Sequence, residues 1–178
     1  MIASLLLAVG FATASQIVDL SGAARDPFHS PASARVFLFV RSDCPITNRY
    51  APELQRIAAE FSGRKVEFWL VYPDPAETPR AIETHMAEYR LPGTPLRDPH
   101  HDIVKRAQAT VAPEAAVFDA TGKLRYHGRV DDRYVTFGKA RAVVLTHDLE
   151  AAIFSVLADR PVADPVTRAI GCALSDLK

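Results

Sequence analysis

The sequence predicts an α/β domain, a mixed central β-sheet flanked by helices with a C-terminal tail folded back over it. Three observations carry that prediction. Val36-Phe37-Leu38-Phe39-Val40 is an unbroken apolar run, the pattern of a strand buried on both faces. Segments of helical period then alternate with short β-branched and aromatic runs, as they do where helices cover a sheet. Late in the chain, Ala115 to Asp119 and Leu124 to Val130 flank Ala120-Thr121-Gly122-Lys123, a hairpin signal. The 178 residues suit one domain, and a composition 48% hydrophobic and 24% charged excludes a disordered or fibrous chain. Lys and Arg number 21, as do Asp and Glu, which leaves no electrostatic footprint for nucleic acid.

Met1 to Ala14 is almost wholly apolar, yet shorter than the ~20 residues of a membrane span. It ends in Ala12-Thr13-Ala14, a pattern suited to cleavage before Ser15. Residues 1–14 are therefore expected to be a signal peptide. Residues 15–178 are then one secreted or periplasmic domain with no membrane span, in an oxidising compartment. No Lys or Arg precedes the apolar stretch, and a buried first strand is the alternative.

From Pro45 to Phe61 the period becomes helical, with Ile46, Tyr50, Leu54, Ile57 and Phe61 on one stripe and Gly63 closing the helix. Val66 to Tyr72 reads as a second strand. Thr78 and Pro79 start a second helix, with Ile82, His85, Met86 and Tyr89 on its apolar side, and Leu91-Pro92-Gly93 stop it. A short helix is expected from Asp98-Pro99 to about Gln108. After the hairpin, Thr146 is expected to cap a last helix, with Asp148 and Glu150 in its first turn. A β-α-β unit thus precedes a β-β-α unit, and a tail runs from Asp159 to Lys178.

The chemistry concentrates at Asp43-Cys44-Pro45-Ile46-Thr47-Asn48, at the carboxyl end of the first core strand, where open α/β sheets form sites. Pro45 suits the first helical position, which makes Cys44 the N-cap. Its sulfur would then face the free amides of Ile46 and Thr47 and the positive end of the helix dipole, an environment that favours a thiolate. The alternative is a small buried hydrophobe. Two cysteines do not make a disulfide scaffold, and a domain of this size needs none to fold.

Cys44-Pro45-Ile46-Thr47-Asn48-Arg49-Tyr50-Ala51-Pro52-Glu53, Gly128-Arg129-Val130-Asp131-Asp132 and Gly171-Cys172 together carry a resemblance. The chain resembles the secreted thioredoxin-like redoxins related to the alkyl hydroperoxide reductase/thiol-specific antioxidant group. Within them it is similar to a subgroup reading Cys-Pro-Ile-Ser/Thr-Asn. The resemblance covers roughly residues 16–174 and implies a thioredoxin-like fold. It also implies that Pro113 is cis and lies against Cys44, offering a backbone edge to an extended peptide or a partner disulfide. Thr47 stands where thioredoxins carry their second cysteine, so that motif alone cannot exchange a dithiol. Arg41 and Phe37 stand where peroxiredoxins carry their activating threonine and proline, and Asn48 where copper-carrying relatives have a cysteine.

Cys172 is the other sulfur, on a tail that Pro161, Pro165 and Gly171 steer. If the tail folds back, Cys172 reaches Cys44; otherwise it is free or buried alone. Three readings follow. In the first, Cys44 attacks a disulfide or peroxide and Cys172 resolves the product, with a thiol- or disulfide-bearing protein or small molecule as partner and an external reductant but no cofactor. In the second, the two sulfurs hold Cu(I). In the third, the pair is an inert staple in a partner-binding module. Asn48 and Thr47 are expected to line the site. The cluster of Arg129, Asp131, Asp132 and Arg133 is either solvated or shapes the Cys44 pocket. His85 reads as a core-edge residue, His100 and His101 as a solvated turn, and His147 matters only near Cys44.

Overall fold

The apolar run becomes the central strand of the sheet. The computed structural model describes residues 17–174, so the expected signal peptide lies outside the described residues. β1 (Ala34–Phe39) is buried throughout and starts ahead of the apolar run. Arg35 hides that start in the sequence. It is 1% exposed, with its guanidinium donating to the Asp119 carbonyl at 2.9 Å, to Ser30 Oγ at 3.1 Å and to the Ser30 carbonyl.

α1 (Pro45–Glu60) follows, with Cys44 as N-cap and Pro45 in the first turn. β2 (Val66–Tyr72) pairs parallel with β1, Val36 opposite Phe68. α2 (Pro79–Tyr89) starts at Thr78, whose side chain accepts from the Ala81 amide, and ends at Arg90 in the left-handed region. β3 (Thr94–Arg97) was not expected. Pro95 masks it, and its place at the sheet edge is where a strand tolerates proline. α3 (Asp102–Ala107) is shorter than expected. Residues 98–101 form a turn in which the buried Asp98 carboxylate accepts from the amides of Asp102, Ile103 and Val104.

β4 (Val111–Ala112) leads through Pro113 to β5 (Glu114–Asp119), which pairs antiparallel with β1 and with β6 (Leu124–Gly128). β6 ends before Arg129 and Val130, short of the expected boundary. An unexpected small hairpin of β7 (Tyr134–Thr136) and β8 (Lys139–Ala140) precedes α4 (Asp148–Leu157). The N-cap of α4 is His147 rather than Thr146, because the Thr146 hydroxyl donates to Asp148 instead of accepting from a helix amide. β9 (Cys172–Ala173) closes the described chain.

The five main strands lie in the order β3-β2-β1-β5-β6. One face packs Val36 and Leu38 against Leu54 and Ile57 of α1, Ile82 of α2 and Ile153 of α4. The other packs Phe37 and Phe39 with Ile103 and Ala107 of α3, Ile17 and Leu174. Both ends of the described chain therefore seal the α3 face. This is the mixed sheet flanked by helices, with a fold-back tail, that the sequence predicts.

Candidate functional site

Two cores meet where β1 stops. Val40 still donates to the Val71 carbonyl, then Arg41 to Asp43 turn the chain into α1. Cys44 sits at that corner with extended dihedrals, φ −88° and ψ 110°. Its side chain makes no hydrogen bond to the helix amides, contrary to the expected capping geometry. The sulfur is bonded to Cys172, with the two Cα atoms 6.1 Å apart, inside the range a disulfide needs. Cys44 Sγ also lies 3.1 Å from the Ala112 carbonyl oxygen. A carbonyl there accepts a hydrogen bond from a reduced thiol and repels a thiolate, so it opposes the helix dipole. Cys44 is 0% exposed in the disulfide, packed in the main core with the Cys172 sulfur bonded to it.

The tail reaches this point by a series of clamps. The His127 amide donates to the Pro165 carbonyl at 3.0 Å, and the Thr167 amide returns to the His127 carbonyl at 3.1 Å. Thr167 Oγ1 accepts from the Arg129 amide at 3.1 Å. β9 then pairs antiparallel with β4, Cys172 opposite Ala112 and Ala173 opposite Val111. The Leu174 amide donates to the Thr110 carbonyl at 2.9 Å, and Arg41 Nη1 donates to the Ala173 carbonyl at 2.8 Å. The Ala112–Pro113 peptide bond is cis. Pro113 thus joins β4, which holds the tail, to β5, which is central to the sheet.

Glu114, 3% exposed, braces that junction: one carboxylate oxygen accepts from the Thr110 and Val111 amides at 2.8 and 3.2 Å. Its other oxygen lies 3.3 Å from His127 Nδ1. An acidic residue heading the apolar run Ala115 to Phe118 was the signal that could have found it.

On the opposite side of the corner, Thr47 is fully buried and its hydroxyl has no hydrogen-bond partner among the described residues. Asn48 Oδ1 lies 2.8 Å from His85 Nε2, and His85 Nδ1 lies 2.9 Å from the Tyr72 hydroxyl. Burial holds His85 below the ordinary histidine range, which keeps the ring neutral. Neutral His85 then donates from Nε2 to Asn48 and accepts from Tyr72 at Nδ1. Asn48 Nδ2 continues to the Ser42 carbonyl at 3.4 Å, so a chain of side chains ends on the loop before Cys44. The Ser42 amide donates to Glu77 at 2.9 Å. Burial raises the Glu77 carboxyl above its ordinary range, and the charges of Asp74 and Asp43 add to this. A shallow groove of about 480 Å³, lined by Ser42, Thr84, His85 and Tyr89, opens beside these groups.

The remaining expected site residues lie elsewhere. Arg129 pairs with Asp148 at 2.8 Å and holds the tail through its backbone. Asp131 is 1% exposed and accepts from the Tyr50 hydroxyl at 2.5 Å, anchoring α1 from below. Asp132 is buried and accepts from the amides of Leu145 and Thr146. The acidic part of the cluster is thus buried structure, bonded to α1 and to the loop before α4, while Arg129 reaches α4 and the tail. His101 Nε2 bonds the Pro73 carbonyl at 3.1 Å. His147 sits with Glu53 and Glu150, whose ligand atoms lie within 4.8 Å of one another. Arg56 donates to both carboxylates there, so a guanidinium already fills the place of a cation. In the disulfide neither sulfur is a thiolate, and Cu(I) binding would need the reduced chain.

The geometry compares with solved structures. A hypothetical protein from Sinorhizobium meliloti is 24% identical, with 89% of this chain and 88% of that one covered at a TM-score of 0.74. A secreted disulfide oxidoreductase of Mycobacterium tuberculosis, described as homologous to E. coli DsbE, is 20% identical, with 80% and 92% covered and a TM-score of 0.53. A thioredoxin-like protein from Aeropyrum pernix is 14% identical, with 80% and 87% covered and a TM-score of 0.55. These likenesses show a thioredoxin-like fold. No curated protein matches the chain. The AhpC/TSA family matches residues 27–127, more than half of the sequence, and the chain belongs to that family.

Proposed function

We propose that the chain is an extracytoplasmic thiol–disulfide oxidoreductase in which Cys44 is the nucleophile and Cys172 the resolving cysteine. One observation carries this reading: the Cys44–Cys172 bond forms at the N-cap of α1, against the strand edge that runs into Pro113. In the reduced chain the Cys44 thiolate attacks a substrate disulfide, a Cys44–substrate bond forms, and one substrate sulfur leaves and takes a proton. The Cys172 thiolate then attacks the Cys44 sulfur. That step makes the Cys44–Cys172 disulfide and releases the second substrate sulfur. The substrate has gained two electrons, and an external dithiol reductant restores the chain. Thr47, in the position of a second motif cysteine, leaves the resolving step to the tail. The secreted disulfide oxidoreductase with the same fold supports the chemistry, and the apolar segment ending at Ala14 supports the compartment.

A second reading is a redox-inert binding module stapled by the same bond. The full burial of Cys44 favours it, because a buried disulfide resists attack. The reduction potential separates the two. Equilibration in glutathione and dithiothreitol buffers, with thiols counted by mass after alkylation, should give a value above about −250 mV for a working couple. A value below about −300 mV would assign the bond to structure.

A further inference from the structure

We propose that residues Ile170 to Leu174 are a resident stand-in for substrate, and that their sequence states what the β4 edge accepts. The accepted segment is an extended peptide with glycine immediately before its cysteine and an apolar side chain two residues after it. The inference deepens the proposed function and rests on Cys44 being the nucleophile.

Four features of the seated tail support it. Its backbone is read by groups that any extended peptide would satisfy: the β4 edge, the Thr110 carbonyl and the Arg41 guanidinium, which donates to the carbonyl after the cysteine. Its sulfur is already bonded to Cys44, the geometry of a mixed disulfide with a bound peptide. The position before the cysteine has no room for a side chain, because a Cβ on Gly171 would collide with the Ala112 carbonyl and lie 3.0 Å from the Pro113 nitrogen. The position two residues after it is a buried apolar slot, since Leu174 is 1% exposed and belongs to the core that holds Phe39, Leu96 and Ala112. Rejection at the first position is steric and at the second is desolvation, so the two are independent. Substrate and tail take turns on β4. The tail's return carries Cys172 to the Cys44 sulfur and expels the substrate strand in the same movement.

The test uses the full-length Cys172→Ser chain and short peptides whose single cysteine is joined to thionitrobenzoate. Cys44 attacks the peptide sulfur, the Cys44–peptide disulfide forms, and the yellow thionitrobenzoate anion leaves. An Ile-Gly-Cys-Ala-Leu peptide is expected to react at least tenfold faster than Ile-Val-Cys-Ala-Leu and than Ile-Gly-Cys-Ala-Asp. Dithionitrobenzoate itself calibrates the bare reactivity of Cys44. Equal rates for the three peptides, with normal reaction of dithionitrobenzoate, would overturn the inference and leave the proposed function standing. No reaction with any of the four would overturn both. Should the serine chain fail to fold, Cys172→Ala or the freshly reduced native chain gives the same comparison from the initial burst.

Discussion

The two halves of the disulfide are held very differently. Cys44 starts a helix of 16 residues whose stripe is buried in the main core, and its loop is tied by Arg41, Asn48 and Glu77. Cys172 lies on a strand of two residues, partly exposed, beyond a run from 163 to 166 that is exposed throughout. One sulfur is built into the domain and the other is carried to it. On the proposed reading, the couple then pairs a fixed nucleophile with a movable resolving sulfur. Reduction should therefore change the tail and leave the sheet alone.

The largest effect tests that asymmetry directly. The bond closes a loop with a sequence separation of 128, so its loss should lower the unfolding free energy by roughly 4–5 kcal/mol in the chain-entropy picture. Cys44→Ser, Cys172→Ser and reduction of the native chain should cost about the same in urea titrations. Limited proteolysis of the reduced chain should cut first between residues 160 and 170, with α1 intact. Cleavage within α1 first would reverse the comparison.

A smaller loss is expected where the two halves touch. Glu114→Ala removes the acceptor of two amides that lead into β4, and burying unpaired backbone donors costs about 1–3 kcal/mol each. The damage should spread to both partners, because β4 belongs to neither half alone. Gly171→Val should act on the tail only. Forcing a side chain against the Ala112 carbonyl costs typically about 1–3 kcal/mol, and most of it should be relieved by the tail lifting away. In the reduced state iodoacetamide should then label Cys44 faster in Gly171→Val than in the native chain, and slower or unchanged labelling would show that the tail does not guard the sulfur.

What the sequence made legible follows the same division. β1, α1, β2, α2 and the β5–β6 pair could be read because burial writes apolar, β-branched and aromatic runs into the core strands and a period of 3.6 into the helices. β3 could not, since a four-residue edge strand with Pro95 in it leaves no period to see. The β7–β8 hairpin escaped for a related reason: Val135 and Phe137 are exposed, so no inward alternation marks it. At the site, the Cys44-Pro45 start was legible because it is local. Glu77 was not, because only the fold brings the Ser42 amide to it, and Glu114 left just the local mark of an acid heading an apolar run. The acidic residues after β6 misled for the opposite reason. Clustered charge usually means solvent, but Asp131 is consumed by a tyrosine 81 positions away.

The smallest effect concerns the fixed half and is set by pH. His85 joins Tyr72 to Asn48 in the neutral form, and burial holds its folded pKa below the unfolded value near 6.5. Between those two values the unfolded chain binds more protons, so stability rises with pH across that window. The His85 contribution is therefore complete above about pH 6.5 and is lost as pH falls toward the lowered folded value. Glu77 acts in the opposite sense, because its folded pKa is raised: its contribution is complete below the ordinary carboxylate value near 4.3 and is lost as pH rises through the folded value. The two can overlap, so the native pH profile alone does not separate them. His85→Gln does: glutamine can donate to Asn48 without titrating, and the acid-side fall in urea midpoint just below pH 6.5 should flatten while the Glu77 slope persists. The same variant should leave the reduction potential unchanged if the side-chain chain only braces the loop. A shift in potential, with its pH slope altered, would instead extend the fixed half's role from holding Cys44 to tuning it.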